Sequence, residues 1–274
     1  MAIITIPDRK LVRASSIAAA EGWDKKLELS TQRNNISLQP DMLGKHISHL
    51  LEEPIQKQKV VVLAGFTGEY SHTLHRAGFD VTHTDIHECY VKEGRKNGLQ
   101  SMQAHAESPP KLKDISFYST FEFGPIHSNI GGEMLMFLET VAHAKHGFIE
   151  ASVWDNSRLW EHFGKKYEFK TDIVRDTIAT YGRNGSASNY ESNDEVMGYV
   201  VRYHASEQQK HIFRTDLAVI DALQMRTSIE ISKLTKMLKL NARNLRESLM
   251  RISGACGLRK HTEKIATIRE VEVN

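Results

Sequence analysis

Cysteine is almost absent: Cys89 and Cys256 are the only two in 274 residues, and 167 positions separate them. That excludes a disulfide framework and any cysteine-based metal signature. It fits a reducing compartment, and a cytoplasmic location is expected. Six prolines and 17 glycines exclude a collagen-like or proline-rich chain. No window approaches the roughly 18–20 uncharged apolar residues of a membrane helix, so no membrane partner is expected. Pro7 and Asp8 interrupt the short apolar start, which therefore does not read as a secretory signal. Histidine is plentiful, with 14 residues. Several fall three or four apart, as in His46/His49, His72/His75, His83/His87 and His143/His146, yet none forms a metal-binding signature, so no metal is expected.

What is present is a folded chain, with 40% hydrophobic and 26% charged residues. The net charge of +2 conceals an asymmetry. Residues 226–274 hold eleven Lys and Arg against five Asp and Glu, a balance of +6, which leaves −4 for the first 225. A basic tail on a mildly acidic body points to a polyanionic partner; a solvated cationic face is the plainer alternative.

Three segments follow from the patterning. Residues 1–55 read as a mostly helical extension, with Asp41 capping a helix through Met42–Leu51. Residues 56–205 alternate strand and helix. Val60-Val61-Val62-Leu63-Ala64 has the composition of a strand buried on both faces. A turn at Gly65–Gly68, a helix at Glu69–Ala77 stopped by Gly78, and a strand at Phe79–Thr84 ending in Asp85 complete a crossover unit. Further strands are expected at Leu99–Ala104, Asp114–Thr120 and Gly147–Trp154. A helix is expected at Glu133–Lys145, and a closing strand pair at Glu168–Ala179 and Val196–Tyr203. The fold class is α/β, a doubly wound, mostly parallel sheet. Residues 206–274 read as helices at Asp216–Met225, Ile231–Leu238 and Ala242–Ile252. Two short strands follow, around Leu258–His261 and Ile265–Val273, the layout of a small winged helix-turn-helix domain.

A glycine turn between a parallel strand and a helix N-terminus cradles nucleotide-like ligands, and an acid ending the next strand can accept ribose hydroxyls. Gly65-Phe66-Thr67-Gly68 and Asp85 have that relation. The stretch from Val61 to Asp85 resembles the first two motifs of Rossmann-like S-adenosylmethionine-dependent methyltransferases. Thr-Gly ends the turn, a helix-stopping glycine follows ten residues on, and the acid seventeen on. Dehydrogenases with Gly-x-Thr-Gly want a third glycine where this chain has Ser71. The resemblance implies S-adenosylmethionine as cofactor, held by Ala64, Gly65, Phe66, Thr67, Gly68, Asp85, Ile86, His105 and Ala106. The chain departs from the family at Val62, where an acid is usual, and at Ala64 and Phe66, where glycines are usual. It also has His105 where an aspartate is usual. A proton acceptor, needed only if the acceptor group must lose a proton, has candidates in Tyr118, Glu122, His127 and Asp155.

In the tail, Leu245, Leu249 and Ile252 form the inward stripe of the last helix, which turns Arg243, Asn244, Arg246 and Met250 outward. Arginine reads guanine or holds phosphate, and asparagine reads adenine. Lys233, Lys236 and Lys239 would meet phosphates, and Arg259 and Lys260 would extend the surface. A homodimer through this module is the alternative. Two functions are thus expected: a methyltransferase of undetermined acceptor that docks nucleic acid or another chain, or a degenerate methyltransferase-like regulator that binds DNA.

Overall fold

A computed structural model describes residues 2–29, 35–56, 58–121, 129–152, 166–182, 194–257 and 267–274. The chain opens with β1 (Ala2–Pro7), α1 (Arg9–Leu29), β2 (Asn35–Leu38) and α2 (Pro40–Leu51). The alternating part comprises β3 (Lys59–Val62), α3 (Glu69–Ala77), β4 (Asp80–Asp85), α4 (Glu88–Lys96), β5 (Gln100–Gln103), β6 (Phe117–Phe121), α5 (Ile130–His143) and β7 (Phe148–Ser152). A long pair, β8 (Lys170–Gly182) and β9 (Asp194–His204), follows. The chain finishes with α6 (Glu207–Leu223), β10 (Ser228–Ile229), α7 (Ile231–Leu238), α8 (Ala242–Cys256) and β11 (Ile268–Val273).

Eight strands make one sheet in the order β5-β4-β3-β6-β7-β9-β8-β2. The first five are mutually parallel. Strand β9 runs against both β7 and β8, and β2 runs against β8. In order of appearance, the five parallel strands follow the doubly wound order 3-2-1-4-5, with the switch point between β3 and β6. A dinucleotide-binding fold would continue with a sixth parallel strand beside the fifth; here the reversed β9 takes that place.

The valine run of β3 explains its central position. Val60, Val61 and Val62 are each at most 1% exposed. Val61 joins the core on the α5 side, while Val60 and Val62 join Leu43, Ile47, Tyr70 and Leu74 on the α2/α3 side. Helix α5 is buried on every side from Ile130 to Ala142, so it is an internal helix. Asn129 caps it by accepting the Gly132 amide.

The first 55 residues are divided between two places. Strand β2 and helix α2 belong to the large sheet, whereas β1 pairs with β11 across the length of the chain. Neither strand was expected. Gln39, not Asp41, is the N-cap of α2; Pro40 starts the helix and Asp41 lies in its first turn. Helix α4 was also missed. Only Val91 and Gly94 of it are buried, so it lacks an apolar stripe. Gly94 lets it lie close to the sheet, since an added Cβ would come within 2.6 Å of Ser101 Oγ and 2.9 Å of His83 Cδ2.

In the C-terminal part, α6 starts at a capping box formed by Ser206 and Gln209, well before the expected Asp216. Asn241 caps α8 as expected. A three-residue turn joins α7 to α8, with Lys239 in the left-handed region at φ 54°. The wing requires correction. Strand β11 pairs along its whole length with β1, antiparallel, and at its end with β10, parallel. The start of the chain therefore supplies the partner that a local hairpin was expected to supply; residues 258–266 lie outside the described residues. The core is also continuous from body to tail. Ile6, Val12, Met134, Phe137 and Val141 share one cluster with Leu217, Leu245, Ile252 and Val271.

Candidate functional site

Ligands of doubly wound sheets bind beyond the carboxyl ends of the strands, at the switch point. The turn after β3 reaches that place. Ala64 and Phe66 both take positive φ, 49° and 50°, and Gly68 follows at 89°. Two of these are non-glycine residues in a region that favours glycine, so the surrounding bonds must hold the turn. Gly65 donates to the Thr84 carbonyl at 2.8 Å, Gly68 donates to the Gly65 carbonyl at 2.9 Å, and Thr120 Oγ1 donates to the Leu63 carbonyl at 2.9 Å. Gly65 is needed for close approach, because an added Cβ would lie 2.4 Å from His83 Nδ1.

Asp85 is the centre of the arrangement. Its Oδ2 accepts the Phe66 amide at 2.9 Å and its Oδ1 accepts the His87 amide at 2.8 Å. The carboxylate thus ties the turn after β3 to the turn after β4, and the residue is 4% exposed. The Phe66 ring packs on Tyr90, with centroids 4.3 Å apart, and the His87 ring meets Tyr90 edge-on at 5.7 Å. Helix α3 opens at Gly68, which has no side chain to cap it, so the amides of its first turn remain as donors at the sheet edge.

Below the turn, His83 is fully buried with Nδ1 2.9 Å from Ser71 Oγ. Burial lowers its pKa from 6.5 to about 4, so the ring is neutral. At the end of β5, His105 Nδ1 lies 3.2 Å from Glu107 Oε1. Glu107 is 4% exposed, and its other oxygen is buried with no hydrogen-bond partner among the described residues. Ile86 is partly exposed and its carbonyl accepts Gln103 Nε2 at 2.7 Å, while Ala106 is buried. The turn and Asp85 are therefore adjacent.

Tyr118 is a core residue. It is 0% exposed, donates its hydroxyl to the Pro110 carbonyl at 3.0 Å, and has its pKa raised by burial. Glu122, His127 and Asp155 lie outside the described residues, as do Arg259 and Lys260. Lys233, Lys236, Arg243, Asn244 and Arg246 are exposed. Sequence reading missed Glu107, His87 and Tyr90. No spacing rule singles them out: His87 and Tyr90 meet the turn after β3 only in the folded chain, and Glu107 meets His105 after β5. Among the described residues no cluster of His, Cys, Asp or Glu is arranged to hold a metal, and no helix is long and apolar enough to cross a membrane. A separate cleft of about 990 Å³ includes Lys45, His46, His49, Glu53 and Asp176. It borders residues 54–56, which precede β3, and so lies away from these turns.

No protein-family model matches the chain, and comparison with curated proteins finds no match. Solved structures with a similar fold include a magnesium protoporphyrin IX methyltransferase from Synechocystis PCC 6803 with bound SAM. It is 13% identical, with 60% of this chain and 79% of that one covered and a TM-score of 0.42. A precorrin-6y C5,15-methyltransferase from Geobacter metallireducens GS-15 is 10% identical, with 60% and 87% covered and a TM-score of 0.41. A precorrin 8w decarboxylase from Methanobacterium thermoautotrophicum is 15% identical, with 60% and 90% covered and a TM-score of 0.39. Likeness at this level assigns no activity to the chain.

Proposed function

We propose that the chain is an S-adenosylmethionine-dependent methyltransferase whose C-terminal helices dock the acceptor-bearing partner. One observation carries the reading: Asp85, at the end of β4, meets the turn after β3 beside the switch point, with the uncapped start of α3 next to it. A dinucleotide cofactor is disfavoured by the reversed strand β9.

The fit to an adenosyl group is good in the backbone. Asp85 accepts the amides of both turns, and a carboxylate at that strand end suits ribose hydroxyls that exchange with its present partners. The first-turn amides of α3 suit the carboxylate of the amino-acid part, and the Glu107 oxygen that has no partner among the described residues suits an amino donor. S-adenosylmethionine, when bound, supplies an electrophilic methyl group. The residues of the chain then orient the partners and keep water out. Asp85 is 4% exposed, so its surroundings must give way for a ligand to reach it, and Phe66, whose amide it accepts and whose ring lies on Tyr90, is the residue on which this reading places that movement.

That same contact favours a second reading, a methyltransferase-like protein that has lost its cofactor and acts through the basic module. Calorimetric titration of S-adenosylmethionine separates the two. Binding to the wild type, tightened by Phe66→Gly and weakened about tenfold or more by Asp85→Ala, supports the enzyme, given that hydrogen bonds to charged groups contribute about 1.5–3 kcal/mol. Absence of heat with both the wild type and Phe66→Gly leaves only the regulator.

A further inference from the structure

We infer that the exposed face of α7 and α8 is a docking surface for duplex nucleic acid. The surface shares no residue with the candidate cofactor site, and its existence does not depend on the methyl donor.

The two helices present a spaced row of cations. Lys233 and Lys236 are three positions apart on α7, Lys239 sits in the turn, and Arg243 and Arg246 occupy the first turns of α8. All five are exposed. Glu247 is the single acid on the two helices, and it pairs with Arg243 at 2.9 Å. Among the described residues no ion pair holds Lys233, Lys236, Lys239 or Arg246. Such side chains remain free to meet phosphates, and the release of counterions drives that contact.

The face is also held rigidly. Leu245, Leu249 and Ile252 are at most 3% exposed. Asp216 of α6, itself 0% exposed, accepts Ser248 Oγ at 2.6 Å, Arg251 Nη2 at 2.7 Å and Arg251 Nε at 3.0 Å. This bond set fixes α8 against α6, so Arg243, Asn244 and Arg246 project in a preset direction. The tail is anchored to the body near the sheet edge: Gly131, in the first turn of α5, donates to Thr267 Oγ1 at 3.2 Å. An added Cβ there would lie 2.7 Å from the Thr267 carbonyl.

Met237 and Met250, 45% and 72% exposed, lie on the same two helices and invite comparison with a protein partner. A second copy seated face to face would set five cations against five, a repulsive arrangement. A polyanion has the complementary charge, and apolar side chains among cations suit thymine methyl groups in a major groove. Joined to the methyltransferase reading, on which this step alone rests, the nucleic acid is the acceptor.

Fluorescence anisotropy of the full chain with a labelled mixed-sequence duplex, without S-adenosylmethionine, tests the surface. Binding is expected at about 50 mM salt, weakening steeply toward about 200 mM. The double variant Lys233→Ala/Lys236→Ala should reduce the log–log salt slope by about two, one per phosphate contact. Arg243→Ala/Arg246→Ala should weaken binding about tenfold or more. Lys45→Ala, in the separate cleft, should change nothing. Circular dichroism melts establish that each variant is folded. Four results overturn the inference: no anisotropy change at low salt, variants indistinguishable from wild type, tighter binding to a single strand than to the duplex, or a sedimenting dimer that Met250→Asp dissolves. Failure here leaves the calorimetric signal of the donor site untouched, so the two proposals fail separately.

Discussion

The turns after β3 and β4 and the face of α7 and α8 treat charge in opposite ways. At the turns, the Asp85 carboxylate is buried and spends its oxygens on two backbone amides of its own chain. On the helices, four of the five cations have no ion-pair partner among the described residues and are exposed. A buried charge must be satisfied from within, because leaving it unpaired costs several kcal/mol, whereas an exposed lysine is satisfied by solvent. The first region is thus built by its polar groups, and a ligand there must compete with the structure. The second is built by its apolar stripe, and its polar groups are available.

The largest test of this contrast lies under the helices. Arg251→Ala strips the buried Asp216 of its bidentate partner and should destabilise the protein by about 3–5 kcal/mol, read by urea denaturation. Acid comes next. His83 takes its proton at about 4 when folded and 6.5 when unfolded, so between those values the unfolded chain binds more protons. Stability present above pH 6.5 is lost as pH falls toward 4, by a total on the order of 3 kcal/mol. His83→Asn should flatten that part of the pH profile; an unchanged profile would mean the acid sensitivity resides elsewhere.

Gly65→Ala drives a methyl group into the His83 ring and should cost about 1–3 kcal/mol, a fall of several degrees in melting temperature. Asp85→Asn keeps the shape but leaves one backbone amide without an acceptor, for a loss of about 1–3 kcal/mol at unchanged denaturant slope. The smallest effect is at the other pole: Lys233→Ala and Lys236→Ala should each alter stability by no more than about 0.5 kcal/mol. A larger loss would show that these lysines hold the helices and are not available to a partner.

Much of the parallel sheet was legible because its strands carry their own signals. A valine run between polar residues and glycine can only be a doubly covered strand, and Gly78 at φ 107° ends α3 where the pattern stops. Helix α4 was hidden, since it buries only two residues and relies on Gly94 to approach the sheet. Strand β1 was hidden for a different reason. Its partner β11 lies at the far end of the chain, and six residues of sequence do not state what they will pair with. In the site, the spacing of Gly68 and Asp85 correctly brought turn and acid together. It did not reveal that Phe66 would lie on Tyr90, or that Tyr118 would have its hydroxyl closed off by Pro110.

The amino-acid order alone determined the strands of the parallel sheet and the helices with an apolar stripe, where glycine must stop or bend the chain, and that the cations concentrate at one end. These depend on contacts within a few residues, and so on local pattern. Tertiary structure decided that the first strand completes the last sheet, that β9 reverses beside β7, and that Asp85 is shared by two turns. Those outcomes depend on which surfaces, distant along the chain, could bury one another.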